Sequence, residues 1–373
     1  MSYTLSNRVE VSLYINDQEY PLDTNNVIDF LHIGSTTKAI LPQIHIGLTD
    51  QTHALDKLEL QDAIPIRVAI KGYGAPTVTY NFRKFDHRRD YNGACYVYQF
   101  DGYWDAPLYW AGTSLAGYRG ASNDVLQQVA QACGLKYSGT STSDTQLWMQ
   151  RNRTYGEFTR RVAAHGYIND KSYMVACVDL NGTLLYKDAN NLPTAQLVVV
   201  ANQLVDGAYT CMDASATAAS GLNNKVTGYN YSHFDQSMAG ATAQTEHATL
   251  AFTPDSRSPL FNTTMKNAAG RGMISYAPID VGNTHEMYQR AKYQNRRYAN
   301  LYNLDVEFLM PQPTTLDLLK TYTFSSVDEN DRKDIANSGD YTVAARSILI
   351  QGTQYGEKIV GTRHGTNANY TTG

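Results

Sequence analysis

The sequence predicts an α+β fold in which two β regions flank an α/β region and a helical segment interrupts the second β region. The first hundred residues and the last sixty consist mainly of short apolar–polar alternating runs separated by turn residues. Between them lie two amphipathic helical patterns and a hairpin signal. We expect a first β region at 1–105, an α/β region at 106–205, a second β region at 206–235 with 305–373, and the insertion at 236–304.

The first β region shows the alternation most clearly. The pattern predicts strands at 9–15, 27–33, 43–49 and 94–100. The stretch 64–82 consists of two strand-like runs joined by a glycine-containing turn, which is typical of a β-hairpin. Short strands with regular turns favour a small barrel or a sandwich.

The first helix of the α/β region is predicted by the stretch "SNDVLQQVAQACGL". Ser122 suits the N-cap, and the carboxylate of Asp124 suits the positive end of the helix dipole. Gly134 is placed to end the helix in the left-handed conformation. The apolar face would consist of Val125, Leu126, Val129, Ala130 and Cys133.

The stretch "NRTYGEFTRRVAAHGY" (152–167) predicts a second helix. Thr154 and Glu157 fit the T-x-x-E capping box, and Gly166 would end the helix. Arg160 and Arg161 lie in its C-terminal half, where a cation interacts favourably with the helix dipole, so neither needs a binding role to explain it. The apolar stripe would consist of Tyr155, Phe158 and Val162.

The remaining elements follow from shorter signals. "YMVACVDL" and "LLYKD", joined by an Asn-Gly turn, predict a hairpin. A strand is expected at 225–234, and a long helix at 284–303 with Thr284 as its N-cap. "DVEFLM" and the runs that follow it return to the strand pattern.

Composition excludes several classes of protein. The net charge of −4 argues against a general nucleic-acid binder. Two local basic clusters, one formed by Arg83, Lys84, Arg88 and Arg89 and one at 290–297, read as solvated faces or partner contacts. No signal peptide and no apolar stretch of membrane-spanning length is present, so we expect no stable membrane association.

The four cysteines are widely spaced and form neither a CxxC pair nor a disulfide framework; they are Cys95, Cys133, Cys177 and Cys211. Cys133 and Cys177 lie in apolar runs and should be buried. Tyrosine occurs 28 times, and its side chain suits protein interfaces as well as half-buried strands.

Motifs of catalysis are missing from the sequence. There is no GxSxG elbow and no phosphate-binding GxxxxGK[ST] loop. "HEMYQ" lacks the second histidine of a zinc protease, and "DENDRKD" (328–334) lacks the glycine of a calcium loop. Asp305 and Glu307 could share one face of a strand but are poor candidates for a glycosidase pair. We therefore expect no enzyme, no catalytic or metal-binding residues and no cofactor.

The order of these elements resembles the baseplate hub proteins of contractile phage tails, and it is similar to the hub portion of type VI secretion spike proteins. The middle of the chain carries the pattern at Trp148, Gln150, Thr154, Glu157, Phe158, Arg160, Gly166 and Asp188. The end of the chain carries it at Gly339, Asp340, Tyr341 and Arg363. The segment 236–283 matches no part of the pattern, and the family's Pro-Gly-Asp before the closing strands is absent.

The resemblance implies two tube-like β-barrel domains that flank the α/β domain, with the second barrel interrupted by the helical insertion. It also implies a homotrimer that adapts a hexameric tail tube to a trimeric spike and forms the channel for the tape measure and DNA. The implied partners are the tail tube, spike, baseplate wedge and tape measure proteins, with DNA only in transit. The implied location is the tail baseplate of the virion, after assembly in the host cytoplasm.

Three other functions remain open from the residues. Richness in Tyr, Asn and Thr is compatible with a receptor- or glycan-binding tail component. A tail-associated cell-wall hydrolase would depend on Glu157 or Glu307. A type VI secretion hub is disfavoured because the sequence carries no spike repeat.

Overall fold

Most of the chain is β structure, packed around three large groups of buried apolar side chains. The computed structural model describes residues 7–38, 40–58, 60–72, 76–213, 225–227, 230–231, 238–239, 274–276, 288–326, 337–352 and 354–364. The predicted α+β class agrees with this content, in which strands far outnumber helices.

The elements up to the end of the α/β region are β1 (Asn7–Ile15), β2 (Gln18–Glu19), β3 (Asn26–Thr36), β4 (Gln43–Asp50), β5 (Pro65–Gly72), β6 (Val78–Tyr91), β7 (Tyr96–Trp104), α1 (Pro107–Ala111), β8 (Thr113–Ser114), β9 (Gly117–Gly120), α2 (Ser122–Ala132), β10 (Lys136–Gly139), β11 (Gln146–Met149), β12 (Arg153–Thr154), α3 (Tyr155–Ala164), β13 (Met174–Val178), β14 (Thr183–Asp188) and β15 (Leu197–Val200). The later elements are β16 (Tyr209–Asp213), β17 (Lys225–Thr227), β18 (Asn230–Tyr231), β19 (Met238–Ala239), β20 (Ile274–Tyr276), α4 (Tyr288–Leu301), β21 (Tyr302–Met310), β22 (Thr321–Ser325), β23 (Gly339–Gln351) and β24 (Gln354–His364).

Six of the first seven strands form a circuit of hydrogen-bonded neighbours that is closed by the last two, while β2 pairs with β1 beside it. β23 pairs with β3, and the pairing continues through β4, β7, β6, β5 and β1 to β24. β24 pairs in turn with β23. The contact between β1 and β24 is short, with two residue pairs at Asn7–Tyr355 and Arg8–Gln354. Alternate side chains point into one core, which includes Leu13, Leu31, Ile33, Ile46, Val68, Phe82, Phe100 and Ile348.

β23 and β24 also belong to a second group of strands. Its order is β15, β22, β23, β24, β21, β16, with β15 parallel to β22 and the other neighbours antiparallel. Its core includes Val199, Val306, Phe308, Tyr322, Phe324, Tyr341, Val343 and Ile359. The strand pair β23–β24 is therefore common to both β groups.

The α/β region packs α2 and α3 against the three-stranded sheet β10–β14–β13. The predicted Asn-Gly hairpin is confirmed: β13 and β14 are antiparallel, and Gly182 has φ of +69° at the turn. The predicted apolar faces of both helices lie in a common core with Trp148 and Tyr186, although Tyr155 is half-buried at its edge. Burial raises the pKa of the Cys133 thiol to about 12.

The beginning of α2 differs from the prediction. Ser122 is the first residue of the helix, not its N-cap, which is Ala121. The backbone N–H and the hydroxyl of Ser122 donate to the buried carboxylate of Asp144, at 2.8 and 2.6 Å. A distant carboxylate thus satisfies the N–H at the helix start, which local sequence signals do not reveal. Gly134 has φ of +71°, as predicted.

The end of α3 also differs. The helix stops at Ala164, and His165 occupies the C-cap with φ of −108°. Gly166 is required for space: a Cβ atom there would lie 1.8 Å from the Tyr186 hydroxyl oxygen. Because Tyr186 is fully buried and its hydroxyl contacts Ser122 Oγ at 2.8 Å, the ring has no room to move away.

The capping box of α3 is present as predicted. The N–H of Glu157 donates to Thr154 Oγ1, and the N–H of Thr154 donates to the Glu157 carboxylate, both at 3.2 Å. We expect Thr154→Ala to lower the free energy of unfolding by about 1 kcal/mol, measured by urea denaturation. Thr154→Ser, which keeps the hydroxyl, is the control. An alanine variant as stable as the wild type would contradict a role for this cap.

The insertion is described only in part. The helix predicted within it at 284–303 is observed as Tyr288–Leu301, and the strand predicted just before it at 225–234 is observed as Lys225–Thr227 and Asn230–Tyr231. Thr284 and the acidic stretch 328–334 lie outside the described residues. Among the helices that are described, none has the length and apolar character needed to cross a membrane.

Candidate functional site

The residues that carried the resemblance fall into two clusters. In the α/β region, the buried Trp148 indole donates to the Gly120 carbonyl at 3.1 Å. The buried amide of Gln150 donates to the Arg153 carbonyl at 2.8 Å and shapes the turn before α3. These two hydrogen bonds join β11 to β9 and to the start of α3, so both buried side chains have a structural role.

The same cluster continues along α3 and β14. The Phe158 ring is buried and stacks on Tyr118, with 5.3 Å between the ring centroids. Arg160 is exposed. The carboxylate of Asp188 accepts hydrogen bonds from the N–H groups of Tyr173 and Asn190 at 2.8 and 3.1 Å, while burial raises its pKa. Apart from the exposed Arg160, these side chains are buried and stabilise the fold.

The second cluster lies where β22, β23 and β24 meet. Gly339 has φ of +147°, and a Cβ atom there would lie 2.1 Å from the Arg363 guanidinium. That guanidinium lies over the Tyr341 ring, 4.8 Å from its centroid, and donates to the Ser338 carbonyl at 2.9 Å. Asp340 accepts from the Thr323 hydroxyl at 2.6 Å. The glycine therefore leaves room for a cation–π contact between neighbouring strands.

Helix α4 holds the α/β region through contacts that the sequence did not reveal. The Asn295 amide donates to the carbonyls of Ala163, Ala164 and Gly166 at 3.1–3.2 Å, and its oxygen accepts from the Met174 N–H at 3.0 Å. One buried side chain thus satisfies the C-terminal carbonyls of α3 and an N–H of β13.

Two further residues of α4 extend this contact. The Tyr288 ring stacks on His165 with 3.6 Å between the ring centroids, and the Tyr288 carbonyl lies 2.9 Å from His165 Nδ1. Gln294 donates to the carbonyls of Asn169 and Ser172 at 2.8 and 2.6 Å. His165, which the sequence placed at a helix end, is therefore a buried contact residue.

A buried ionic network lies on the shared strand pair. Arg346 on β23 bonds to Glu357 on β24 and to Asp317 in the segment between β21 and β22. Glu357 is fully buried and also accepts from the N–H and hydroxyl of Thr314, at 2.7 and 3.0 Å. Burial raises the pKa of Glu357, while Arg346 and Thr314 oppose that rise. The network ties the 311–320 segment to both β groups.

The basic cluster on β6 is neutralised by acidic neighbours. Arg83 pairs with Asp105 at 2.7 Å, Arg88 with Asp90 at 2.8 Å and Arg89 with Asp56 at 2.9 Å. Lys84 is fully buried and pairs with Asp62 at 3.1 Å. For the three arginines these pairs favour the prediction of a solvated face or partner contact over nucleic-acid binding, whereas for the buried Lys84 the prediction of a solvated face is wrong. The side chains of the second cluster, at 290–297, are described only in part.

The carboxylates named for a hydrolase already have structural partners. Glu157 belongs to the capping box, and Glu307 pairs with Lys358 at 2.7 Å. Burial raises the pKa of Asp305. In the part of the chain that the structure describes, no three His, Cys, Asp or Glu side chains come together as a metal site.

The second β group ends in two strands that each have one described neighbour. β15 pairs with β22, and β16 pairs with β21. Both expose large apolar side chains: Leu197 and Val198 on β15, with Val198 56% exposed, and Met212 on β16. An exposed apolar edge strand offers backbone groups to another chain.

Three solved structures, two of them of tail proteins, are similar to this chain in fold. A tail protein from Neisseria meningitidis MC58 matches with a TM-score of 0.60 and 11% identity, over 96% of this chain and 98% of that one. The 43 kDa tail protein of prophage MuSo2 from Shewanella oneidensis matches with a TM-score of 0.59 and 11% identity, over 96% of this chain and 97% of that one. A chain of the lidded Francisella PdpA–VgrG complex matches with a TM-score of 0.51 and 11% identity, over 97% of this chain and 53% of that one.

No model of a protein family and no curated protein matches the sequence. At 11% identity the similarity concerns the fold, and it spans the two β groups and the α/β region together. The resemblance predicted from the order of elements is confirmed at this level: over 96% of its length, the chain is similar in fold to these two tail proteins.

Proposed function

We propose that this protein is the baseplate hub of a phage tail or a phage-like contractile particle. Three copies would form a ring that adapts the hexameric tail tube to the trimeric spike. The observation that carries the proposal is the shared fold with two prophage tail proteins over nearly the whole length of each chain. The proposal includes no hydrolase activity, because the two carboxylates that would carry it, Glu157 and Glu307, make structural contacts.

The arrangement of strands supports the ring. Two β groups that share β23 and β24 would supply two tube-like domains per chain, and three chains would then present six to the tail tube. β15 and β16, the exposed ends of the second group, would pair with strands of neighbouring copies. Closed cyclic symmetry would make each contact heterologous, with β15 of one copy facing a different surface of the next.

The channel function follows from the ring. The tape measure protein and then DNA would pass through its centre, between the tube above and the spike below. A net charge of −4 would limit binding of DNA in transit, because phosphates and carboxylates repel each other. The virion location and the wedge, spike and tube partners belong to the same proposal.

Particle mass tests the proposal directly. We expect light scattering to give three times 41.5 kDa, alone or after addition of the neighbouring spike protein, and negative-stain images to show a ring with a central hole. A monomer under both conditions would reject the hub and favour a receptor- or glycan-binding component, which glycan-array binding would then test.

The edge strand gives a sharper prediction. Val198→Asp places a charge on the exposed side of β15, where a neighbouring strand would have to desolvate it. We expect a folded monomer by light scattering and circular dichroism. Val27→Asp, an exposed position on β3 within the first circuit, is the control and should leave the trimer intact. If Val198→Asp stays trimeric, β15 does not form the contact.

A further inference from the structure

The small sheet formed by β9 and β11 carries an apolar surface on the outside of the α/β region. Leu115 is 76% exposed, Leu147 49% and Met149 38%. Leu147 and Met149 alternate with the buried Gln146 and Trp148, so both lie on the outer face of β11. A Cβ atom at Gly117 would lie 3.0 Å from Met149 Sδ and 3.5 Å from Leu147 Cδ1, which places Gly117, Leu147 and Met149 in one patch, with Leu115 two residues before Gly117 along the chain.

The backbone of β11 is oriented for pairing on its outer side. The N–H of Gln150, directly after β11, donates to the Ala116 carbonyl at 3.0 Å. In an antiparallel pair, every second residue turns its N–H and C=O groups toward the partner strand, and the residues between them turn these groups away. Counted back from Gln150, Leu147 and Met149 are of the second kind, and within the described ranges β11 has β9 as its single strand neighbour.

The rim of the patch is basic. Arg119 stands directly across the strand pair from Leu147. Arg151 and Arg153 follow Met149 closely along the chain and are exposed, and Arg153 pairs with Ser114 beside Leu115. Asp124 lies at the opposite end of the strand pair, beside Gly120, and Glu157 is held in the capping box.

We propose that this surface binds an extended acidic segment of another protein, which adds to β11 as a third strand. Apolar side chains on one face of the segment would cover Leu147 and Met149, and carboxylates on that same face would meet Arg119 and Arg153. A second copy docked here through the same face would bring the two arginine rims together, so charge disfavours that occupant. The surface lies on the α/β region and does not depend on the proposed ring.

A pair of matched peptides tests the surface on the full chain. The probes are capped seven-residue peptides, Glu-Ser-Val-Ser-Val-Ser-Glu and Lys-Ser-Val-Ser-Val-Ser-Lys, in which the Val and the charged side chains share one face of an extended strand. We expect the Glu peptide to bind at least about tenfold more tightly than the Lys peptide, with an affinity that falls as salt is raised. Hydrogen exchange measured by mass spectrometry should show new protection of segment 146–149 when the Glu peptide is bound.

Variants locate the binding. Leu147→Asn with Met149→Asn should weaken the Glu peptide by at least about tenfold, and Arg119→Glu should reverse the preference between the peptides. Val78→Asn, which alters an exposed apolar residue on β6, should change neither. No binding of the Glu peptide, equal binding of both peptides, or unchanged exchange at 146–149 overturns the proposal. A change in particle mass in the Leu147/Met149 variant also overturns it, because the face would then bind a second copy.

Discussion

Arg346→Leu is expected to lower the free energy of unfolding by about 3–5 kcal/mol, because it leaves a fully buried carboxylate without its cation. Glu357 would retain only its bonds from Thr314 and the Tyr355 hydroxyl. Asp317 would lose its buried partner as well and keep Lys320, at 3.2 Å. Chemical denaturation at neutral pH measures the loss.

The pH dependence gives this prediction a distinct signature. Without Arg346, burial raises the pKa of Glu357 further above the value in the unfolded chain. The folded variant then binds a proton more tightly than the unfolded variant does. The difference in free energy of unfolding between wild type and variant should therefore shrink as pH falls toward 5. The matched control is Arg88→Leu, since Arg88 pairs with Asp90 on the surface and should contribute less than about 1 kcal/mol. An equal loss at pH 5 and 7 would mean that Glu357 is not the source.

Asn295→Ala is expected to lower the free energy of unfolding by about 2–3 kcal/mol, because it strips hydrogen bonds from several buried backbone groups at once. The carbonyls of Ala163, Ala164 and Gly166 would lose a shared donor, and the Met174 N–H would lose its acceptor. Urea denaturation measures the loss. Hydrogen exchange should also rise at the end of α3 and the start of β13.

Lys292→Ala on the same helix is the control for that experiment. Its side chain is partly exposed and alanine favours a helix, so we expect a change within about 0.5 kcal/mol. Asn295→Asp adds a second test, since a carboxylate still accepts from Met174 but cannot donate to the three carbonyls. If Asn295→Ala and Lys292→Ala unfold alike, α4 does not stabilise the α/β region through Asn295.

Local signals in the sequence were sufficient for elements whose stabilising groups lie within a few residues of one another. The Thr154–Glu157 capping box, the Asn-Gly hairpin and the left-handed Gly134 are of this kind. In each case a short spacing defines the geometry, so one sequence carries enough information.

The sequence could not reveal contacts between distant segments. Asp144 replaces the expected cap at Ser122 from 22 residues away, and Asn295 reaches Ala163 across 132 residues. Arg346 and Glu357 read as ordinary strand residues, since no local pattern shows that both would be buried against Asp317. The exposure of Leu147 beside the buried Trp148 likewise depends on the pairing of β11 with β9, which the local sequence does not show.

The strand pair that closes the first circuit has a consequence for biosynthesis. β3 is translated early, but its partner β23 begins at Gly339, and β1 meets β24 through Tyr355 and Gln354. On the ribosome, β3 and β1 therefore wait, each with one unpaired edge, until β23 and β24 have emerged. Contacts of such large sequence separation also slow closure, because a long loop of chain must be ordered first. A nascent chain arrested before residue 339 would expose these edges of β3 and β1 to chaperones or to other nascent chains.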